Sequence, residues 1–229
     1  MIPVRTSVAQ SLLALFMRLW WLKALGTMSF LWAFFHVYFR IQSIPHFAVV
    51  DVPLTWLDRA LPMQSWAWVP YLSLWIYTSL PPAFQPDLRS LAYYGVCIFS
   101  VCATGLLCFY LWPTSVSGLL KPPGEVLSWL EGIDLAGNAC PSLHVASAVF
   151  SWAWLRHQLL QLGAGRNWHL LSLLWGATIV FSTLLTKQHA VWDVVSGVLL
   201  GASGAAISLY ALQFSAVSMF LGRSGRALR

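Results

Sequence analysis

Charged residues are scarce in this sequence. Only 9% of its 229 residues are charged and 59% are hydrophobic, whereas an average soluble domain has roughly 25% charged residues. A soluble core of this size does not need so much apolar surface, so the composition excludes an ordinary soluble domain and indicates an integral membrane protein. Several of the 14 tryptophans lie at the edges of apolar stretches, as in the interfacial belts of membrane proteins.

Other features are missing as well. The four cysteines form no CxxC pair and three of them lie in one hydrophobic stretch, which excludes a disulfide framework and favours small apolar packing residues. The net charge of +6 is not arranged as a basic stripe interleaved with aromatic residues, so we predict no nucleic-acid partner. The absence of repeats and low-complexity segments leaves a single membrane domain.

The predicted fold is all-α, a polytopic bundle of six transmembrane helices. Six stretches have the roughly 20 mostly apolar residues that a helix needs to cross a bilayer. They are residues 24–42, 64–80, 89–112, 141–160, 168–186 and 190–221. Pro81-Pro82 and Pro113 are expected to end the second and third spans, and Pro141 suits the first turn of the fourth.

The two ends of the chain differ from the bundle. Arg18 and Lys23 interrupt the early apolar stretch and no small-residue cleavage site follows it, so this segment does not resemble a cleaved signal peptide. We predict instead an amphipathic lead-in over residues 1–23 at the inner interface. A six-span membrane domain over 24–221 and a basic cytoplasmic tail over 222–229 complete the predicted organisation.

Basic residues are unevenly distributed between the two sides of these spans. With a cytoplasmic N-terminus, the inner segments hold nine basic residues and one acidic residue, and the outer segments hold four basic and six acidic residues. Positive charge is enriched on the cytoplasmic side, so we predict that both termini are inside. Gly197 and Gly201, at GxxxG spacing, are expected to pack inside the bundle rather than in a dimer. The pattern leaves the oligomeric state open.

Three ionisable residues stand out at the outer ends of predicted spans: His144, His189 and Asp193. His189 and Asp193 are four residues apart and would share one face of a helix. An aspartate one turn into a membrane span is costly unless it is paired or solvated, and it can orient an imidazole and raise the basicity of the other ring nitrogen. Taken alone, the pair also fits a buried contact that only ties two helices together.

His144 and Lys187 extend this cluster. His144 follows a helix start at Pro141-Ser142, whose free backbone N–H groups and helix dipole favour an anion. Ser142 adds a hydroxyl, and Lys187 adds a positive charge two residues before His189. Together these residues predict a phosphate cradle with a nucleophile, an acid and an orienting group. Taken alone, His144 also fits an interfacial histidine, and Lys187 a contact with lipid headgroups.

Two segments resemble signature motifs of the type 2 phosphatidic acid phosphatase superfamily. Residues 141–144, PSLH, resemble its PSGH motif, and its SRxxxxxHxxxD motif is matched without a gap by Ser182, His189 and Asp193. The leucine in PSLH and the TKQHxxxD form of the longer motif are most similar to the branch that contains inositol phosphorylceramide synthases. The resemblance covers roughly residues 108–205 and also fits a six-span plan.

The resemblance implies a two-step phosphoryl transfer that needs no metal and no cofactor. His189 would attack phosphorus, Asp193 would hold its imidazole, and His144 would protonate the leaving oxygen. The phosphohistidine would then pass its phosphoryl group to water or to another hydroxyl. The implied substrates are phospholipids or polyprenyl phosphates at the outer leaflet. The default location is a bacterial inner membrane, with the site facing the periplasm.

Phosphate binding is expected from residues around these three. Motif positions predicted to contact phosphate are Ser142, Leu143 and Ser182. Thr183 stands where the superfamily motif has an arginine, and a further motif of the superfamily, KxxxxxxRP, has no clean match. We therefore predict that Lys187 and Lys121 supply the positive charge, as point charges rather than bidentate forks.

Several functions stay open at this point. A phosphatase needs no second binding site, which favours it over a phosphotransferase that moves a phosphorylated headgroup to a lipid acceptor. His144, His189 and Asp193 would also have a suitable ligand count for zinc. A transporter or scaffold without chemistry is a further alternative, although the sequence places no acidic relay across the bilayer.

Overall fold

The computed structural model describes residues 7–119 and 138–224. Helices account for 76% of the structure, which confirms the all-α class. The helices are α1 (Val8–Met17), α2 (Trp20–Ser43), α3 (Trp56–Ala60), α4 (Trp68–Leu72), α5 (Leu74–Ala83), α6 (Leu88–Leu111), α7 (Leu143–Gln161), α8 (Arg166–Leu185) and α9 (Val191–Ser224). A 3-10 turn at Ser65–Ala67 precedes α4, and β1 (Val50–Asp51) pairs in parallel with β2 (Thr114–Ser115).

Fewer helices than predicted have the length and hydropathy of a membrane span. In the described ranges these are α6, α8 and the Val191–Phe214 part of α9, and the bent pair of α1 and α2 would make a fourth. The angle between α1 and α2 is 71°. These helices indicate a membrane protein, but they do not by themselves establish six spans or the side on which the termini lie.

The predicted second span, 64–80, is not one continuous helix. The chain forms the 3-10 turn, α4 and α5 in succession, with the break at Ser73. Pro70 has no N–H to donate, and the Ser73 hydroxyl donates to the Pro70 carbonyl at 2.7 Å, a local bond that competes with helix continuation. The predicted fourth span corresponds to α7, whose 19 residues include too many polar side chains to qualify by hydropathy.

Proline positions also differ from the expectation at two places. Pro81 and Pro82 lie inside the last turn of α5 rather than after it, and Pro141 precedes the N-cap of α7 instead of occupying its first turn. Pro113 follows the end of α6 as predicted. The end of α5 is also fixed from outside, because the Lys23 ammonium donates to the Ala83 carbonyl at 2.8 Å and to the Leu15 carbonyl at 2.6 Å.

Helix α7 lies at the centre of the bundle. On one side its Ala146, Phe150 and Trp154 pack in a buried cluster with residues of α6 and α9. On the other side Ala148 and Leu155 pack with residues of α5 and α8. Because neighbours hold α7 on both sides, its first turn is placed firmly at one end of the bundle.

The GxxxG glycines pack α9 against this central helix. A Cβ added at Gly197 would lie 2.5 Å from the Ser142 carbonyl oxygen, and one added at Gly201 would collide with the Ala146 carbonyl oxygen. Small residues allow backbones to approach this closely. The prediction of packing inside the bundle is confirmed, and its consequence is that the first turns of α7 and α9 lie side by side.

The connections at this end of the bundle are tied to the start of α7. In the β1–β2 pairing, Val50 is opposite Thr114 and Asp51 is opposite Ser115. Thr114 then accepts from the Ala139 N–H at 3.1 Å and, through its hydroxyl, from the Cys140 N–H at 2.8 Å. This chain of bonds links the segment after α2 to the segment that leads into α7.

Candidate active site

The N-terminal ends of α7 and α9 meet in a direct backbone contact. The Ser142 N–H donates to the Asp193 carbonyl at 3.0 Å. Ser142 is the N-cap of α7, and its hydroxyl accepts from the Val145 N–H at 3.2 Å, which satisfies one of the amides that a helix start leaves unpaired. The sequence-predicted residues Ser142, His144, His189 and Asp193 are therefore brought together at one end of the bundle.

His189 and Asp193 face each other as the i, i+4 spacing predicts. The His189 Nδ1 lies 3.6 Å from the Asp193 Oδ2, and the Asp193 side chain is fully buried. This separation is longer than a hydrogen bond, and the His189 Nδ1 and the Asp193 Oδ1 have no hydrogen-bond partner within residues 7–119 and 138–224. A small rotation of the imidazole would close the bond, and catalytic hydrogen bonds are often long before substrate binds.

Asp193 has a second contact that fixes its carboxylate. Its Oδ2 accepts from the Ala190 N–H at 2.8 Å, so the side chain caps the start of its own helix. The amide bond holds the carboxylate at the same time as the imidazole approaches it. Asp193 is thus a fixed reference for the orientation of His189.

His144 lies in the first turn of α7 with its ring stacked on Tyr71. The two ring centroids are 4.0 Å apart and the planes differ by 18°, which restricts the imidazole to one orientation. The buried His144 Nε2 has no hydrogen-bond partner in the part of the chain that the structure describes. A ring nitrogen that is positioned but unsatisfied can exchange a proton with a bound group.

Both histidines line one large cavity. It has a volume of about 880 Å³, and the polar residues that line it include His144, Ser147, Gln188 and His189. Aromatic and aliphatic side chains of α2, α5 and α6 form most of the remaining wall. Its α2 residues extend from Lys23 to Phe39, which corresponds to about 24 Å along the helix.

Two amides of α7 point toward the same end of the bundle. The backbone N–H groups of Leu143 and His144 have no hydrogen-bond acceptor among the described residues. A helix N-terminus with unsatisfied N–H groups favours a bound anion. This placement agrees with the predicted contribution of Leu143 to phosphate binding, which stays a prediction.

Lys187 lies close to the histidines but is directed elsewhere. Its ammonium donates to the Asp58 carbonyl at 2.6 Å, and its side chain is buried. Burial lowers the pKa of the Lys187 ammonium, and the negative charge of Asp58 acts in the opposite direction. The predicted role of Lys187 in phosphate binding is untested by this geometry.

Two other predicted phosphate ligands are less directly placed. Ser182 is buried, and its hydroxyl donates to the Ile179 carbonyl of its own helix at 2.6 Å. Thr183, at the position of the superfamily arginine, accepts from the Gln188 and His189 N–H groups at 3.2 Å each through its carbonyl. Its contribution is thus to hold the loop that carries His189. Lys121 lies outside the described residues.

The structure adds two residues that the sequence did not indicate. Tyr71 carries the stack on His144, and no local pattern marks it. Asp58 contacts the loop around His189, and its only sequence signal is the spacing Thr55-x-x-Asp58, typical of a capping box. That spacing predicts a helix start but not a contact with a segment about 130 residues away in the chain.

The zinc alternative finds no support in the described residues. No group of three or more His, Cys, Asp or Glu residues there has an arrangement that could hold a metal ion. His189 and Asp193 face each other directly, at 3.6 Å between the Nδ1 and Oδ2 atoms. Acid–base and nucleophilic chemistry fits these positions better than metal ligation.

Helices able to cross a membrane, together with a histidine–aspartate pair and a second histidine at their ends, define a helical membrane protein with a candidate phosphoryl-transfer site. The PAP2 superfamily matches residues 94–216, more than half of the chain, and the chain belongs to this superfamily. Its members are generally phosphatases or phosphotransferases, and membership is consistent with a lipid phosphatase.

The match covers both motifs and agrees with the predicted superfamily. It does not support the more specific likeness to the inositol phosphorylceramide synthase branch. Neither the curated proteins nor the solved structures gave a match to this chain.

Proposed function

We propose that this protein is a membrane-embedded lipid phosphate phosphatase. The single observation that carries the proposal is the cavity of about 880 Å³, which has His144 and His189 at one end and mostly apolar walls along α2, α5 and α6. A phosphate-bearing lipid has the same division into a polar end and a hydrocarbon tail. A water-soluble phosphate ester would leave the apolar walls without a partner.

The proposed reaction has two steps. In the first, the His189 Nε2 attacks phosphorus, and the bond between phosphorus and the lipid oxygen breaks. His144 gives a proton to that oxygen, so the lipid leaves as an alcohol. Asp193 lies on the Nδ1 side of His189, which leaves Nε2 to attack and stabilises the positive charge that develops on the ring.

In the second step, water replaces the histidine. Its oxygen attacks phosphorus, its proton passes to His144, and the bond between phosphorus and the His189 Nε2 breaks. The electron pair returns to the imidazole, and inorganic phosphate is released. Phosphoryl transfer is governed mainly by positioning and charge stabilisation, and for these the proposal relies on the Leu143 and His144 amides, with Ser142, Ser182 and Lys121 in supporting roles.

For the membrane, the proposal keeps the six-span arrangement. One of its spans, α7, packs between other helices that would shield its polar side chains. In the α4–α5 span the Ser73 N–H still donates to the Val69 carbonyl at 3.1 Å, so the break leaves this amide paired. The excess of basic residues on one side supports cytoplasmic termini. The site would then face the outer leaflet, with the periplasmic face of a bacterial inner membrane as the proposed location.

A phosphate-release assay over a panel of substrates tests this function. Purified protein in detergent is offered phosphatidic acid, phosphatidylglycerol phosphate and polyprenyl phosphates, with a short water-soluble ester for comparison. We expect release from at least one lipid and none from the His189→Ala variant. The matched control is His169→Ala, because His169 lies in the first turn of α8, at the end far from His189.

The same preparation separates the alternatives. Transfer of a labelled phosphorylated headgroup to an added lipid alcohol, in the absence of phosphate release, would indicate a phosphotransferase. A folded His189→Ala protein with full activity would contradict the mechanism. No activity on any lipid in either assay would favour a transporter or scaffold.

A further inference from the structure

One outer segment holds the loop that carries His189. This segment, residues 55–64, contains α3 and is called the α3 clip below. The Gln64 N–H donates to the Leu185 carbonyl at 3.0 Å, and the Val191 N–H donates to the Asp58 Oδ1 at 2.9 Å. The Lys187 ammonium donates to the Asp58 carbonyl at 2.6 Å. These bonds attach the clip to the loop on both sides of His189.

Asp58 is the centre of this attachment. Its side chain is buried, and both carboxylate oxygens accept hydrogen bonds. Oδ2 accepts from the Thr55 N–H and from the Thr55 hydroxyl, each at 2.7 Å, and Oδ1 accepts from Val191. A buried carboxylate with all its partners in place is rigid, and removing it would leave several donors unsatisfied.

The backbone at Lys187 adopts a conformation that needs support from its surroundings. Lys187 has a φ of 56°, a left-handed conformation that is uncommon for residues other than glycine. Such conformations persist where the surrounding structure enforces them. The bond from its ammonium to Asp58 closes a bridge over the loop, and His189 lies only two residues further along.

Two carboxylates accept hydrogen bonds from neighbouring backbone N–H groups at the start of α9. Asp193 accepts from the Ala190 N–H at 2.8 Å, and Asp58 accepts from the Val191 N–H at 2.9 Å. Negative charge is favourable at this end of a helix. Because Asp193 also faces His189, a shift of the first turn of α9 would change the distance between the two catalytic side chains.

We propose that Asp58 and Lys187 act as positioning residues that hold His189 in register with Asp193. This inference rests on the proposed function, since the register matters only if His189 is the nucleophile. Neither residue needs to touch the substrate. The role assigned to Lys187 differs from the phosphate contact predicted from the sequence, and the two roles have different kinetic signatures.

The test compares kcat and KM for Asp58→Ala, Asp58→Asn and Lys187→Met in the full-length protein. A displacement of about 1 Å can cost on the order of a hundredfold in rate, so we expect kcat to fall at least about tenfold in Asp58→Ala while KM changes by about twofold or less. Asp58→Asn keeps an oxygen for Val191 and is expected to lie between this variant and the unmodified protein.

The control is Asp51→Asn, another outer aspartate, whose carboxylate accepts from Ser115 and Ser117 instead. We expect it to keep the kcat of the unmodified protein. If Asp58→Ala does not fold, as judged by size-exclusion chromatography, Asp58→Asn and Lys187→Met decide the question. The pH profile of kcat should also shift in the Asp58 variants, because the distance between the His189 imidazole and the Asp193 carboxylate changes.

An unchanged kcat in folded Asp58 and Lys187 variants would overturn the inference. So would a rise in KM without a change in kcat for Lys187→Met, which would identify Lys187 as a phosphate ligand. Failure of the proposed function has a different signature, because the unmodified protein would then release no phosphate from any lipid.

Discussion

At the scale of residues, the candidate site is close to a working geometry but not fully closed. The His189 Nδ1 and the Asp193 Oδ2 are 3.6 Å apart, and the Asp193 carboxylate already caps Ala190. The carboxylate is therefore the fixed partner and the imidazole the adjustable one. A substrate phosphate that draws His189 forward would have to keep this contact, which favours a small rotation of the ring over a movement of the helix.

Tyr71 is expected to matter for the rate through its contact with His144. Tyr71→Ala removes the ring that stacks on His144 at 4.0 Å, and Tyr71→Phe keeps it. An aromatic pair contributes about 0.5–1.5 kcal/mol, so we expect the alanine variant to lose about two- to tenfold in kcat and the phenylalanine variant to lose much less. The measurement is steady-state phosphate release, and equal losses in both variants would contradict a role for the stack.

At the scale of elements, the placement of the site depends on how closely α9 approaches α7. The contact is made at Gly197 and Gly201, and it brings Asp193 to within a hydrogen bond of Ser142. The two motifs are about 40 residues apart in the sequence. The close packing of α9 on α7 brings the two motifs together into one site.

A larger side chain at Gly201 should separate these helices. Gly201→Val would place its Cβ against the Ala146 carbonyl, and overpacking of this kind costs roughly 1–3 kcal/mol. We expect a lower midpoint of thermal unfolding, followed through tryptophan fluorescence in detergent, together with a loss of activity. Gly26→Val is the matched control for the unfolding midpoint because a Cβ at Gly26 meets nothing within 4 Å; it does not serve as a control for activity, since Gly26 lines the cavity. Equal midpoints for the two variants would argue against the role of this packing.

The elements also show which features could be predicted from the sequence. Helix periodicity and motif spacing were sufficient to place His144, His189 and Asp193 at the same end of the bundle, because helix faces and helix ends follow from local pattern. The break at Ser73 was missed, since a hydroxyl bond to a proline carbonyl is not visible in hydropathy. The contact between Asp58 and Lys187 was missed for a different reason, because pairing between distant loops is decided by the packing of the whole bundle.

The hydrogen-bond partner of Ser182 could not be predicted from the sequence either. Its position in the motif fits without a gap, but its hydroxyl is directed to the Ile179 carbonyl within α8. Motif spacing fixes the position of a residue along a helix and not the partner that its side chain selects. Whether Ser182 contacts phosphate therefore stays a prediction.

At the scale of the whole molecule, the cavity connects the site to the interior of the bundle. Its lining along α2 covers about 24 Å, a large part of the roughly 30 Å of a bilayer core. A lipid tail placed there would lie against the apolar side chains of α2, α5 and α6. The catalytic end could then hold the phosphate while the tail sets the depth of binding.

Filling the cavity should affect lipid substrates selectively. Gly95 lines the cavity, whereas Val96, its neighbour on α6, is 64% exposed on the outside. Each buried methylene contributes about 0.8 kcal/mol, so excluding about two of them with Gly95→Phe should raise KM for a long-tailed lipid phosphate about tenfold. Val96→Phe is the control and should change KM little. Equal effects of Gly95→Phe on the lipid and on a short soluble ester would contradict a tail-binding cavity.

The central claim, that His189 is the nucleophile, is tested most directly by trapping the intermediate. The protein is mixed with a lipid carrying ³²P in its phosphate, quenched within one turnover and digested, and the labelled peptide is identified by mass spectrometry. The account predicts an acid-labile, base-stable label on His189 that is absent from the His189→Ala variant. Rapid phosphate release without any label on His189, or a label on another residue, would contradict it.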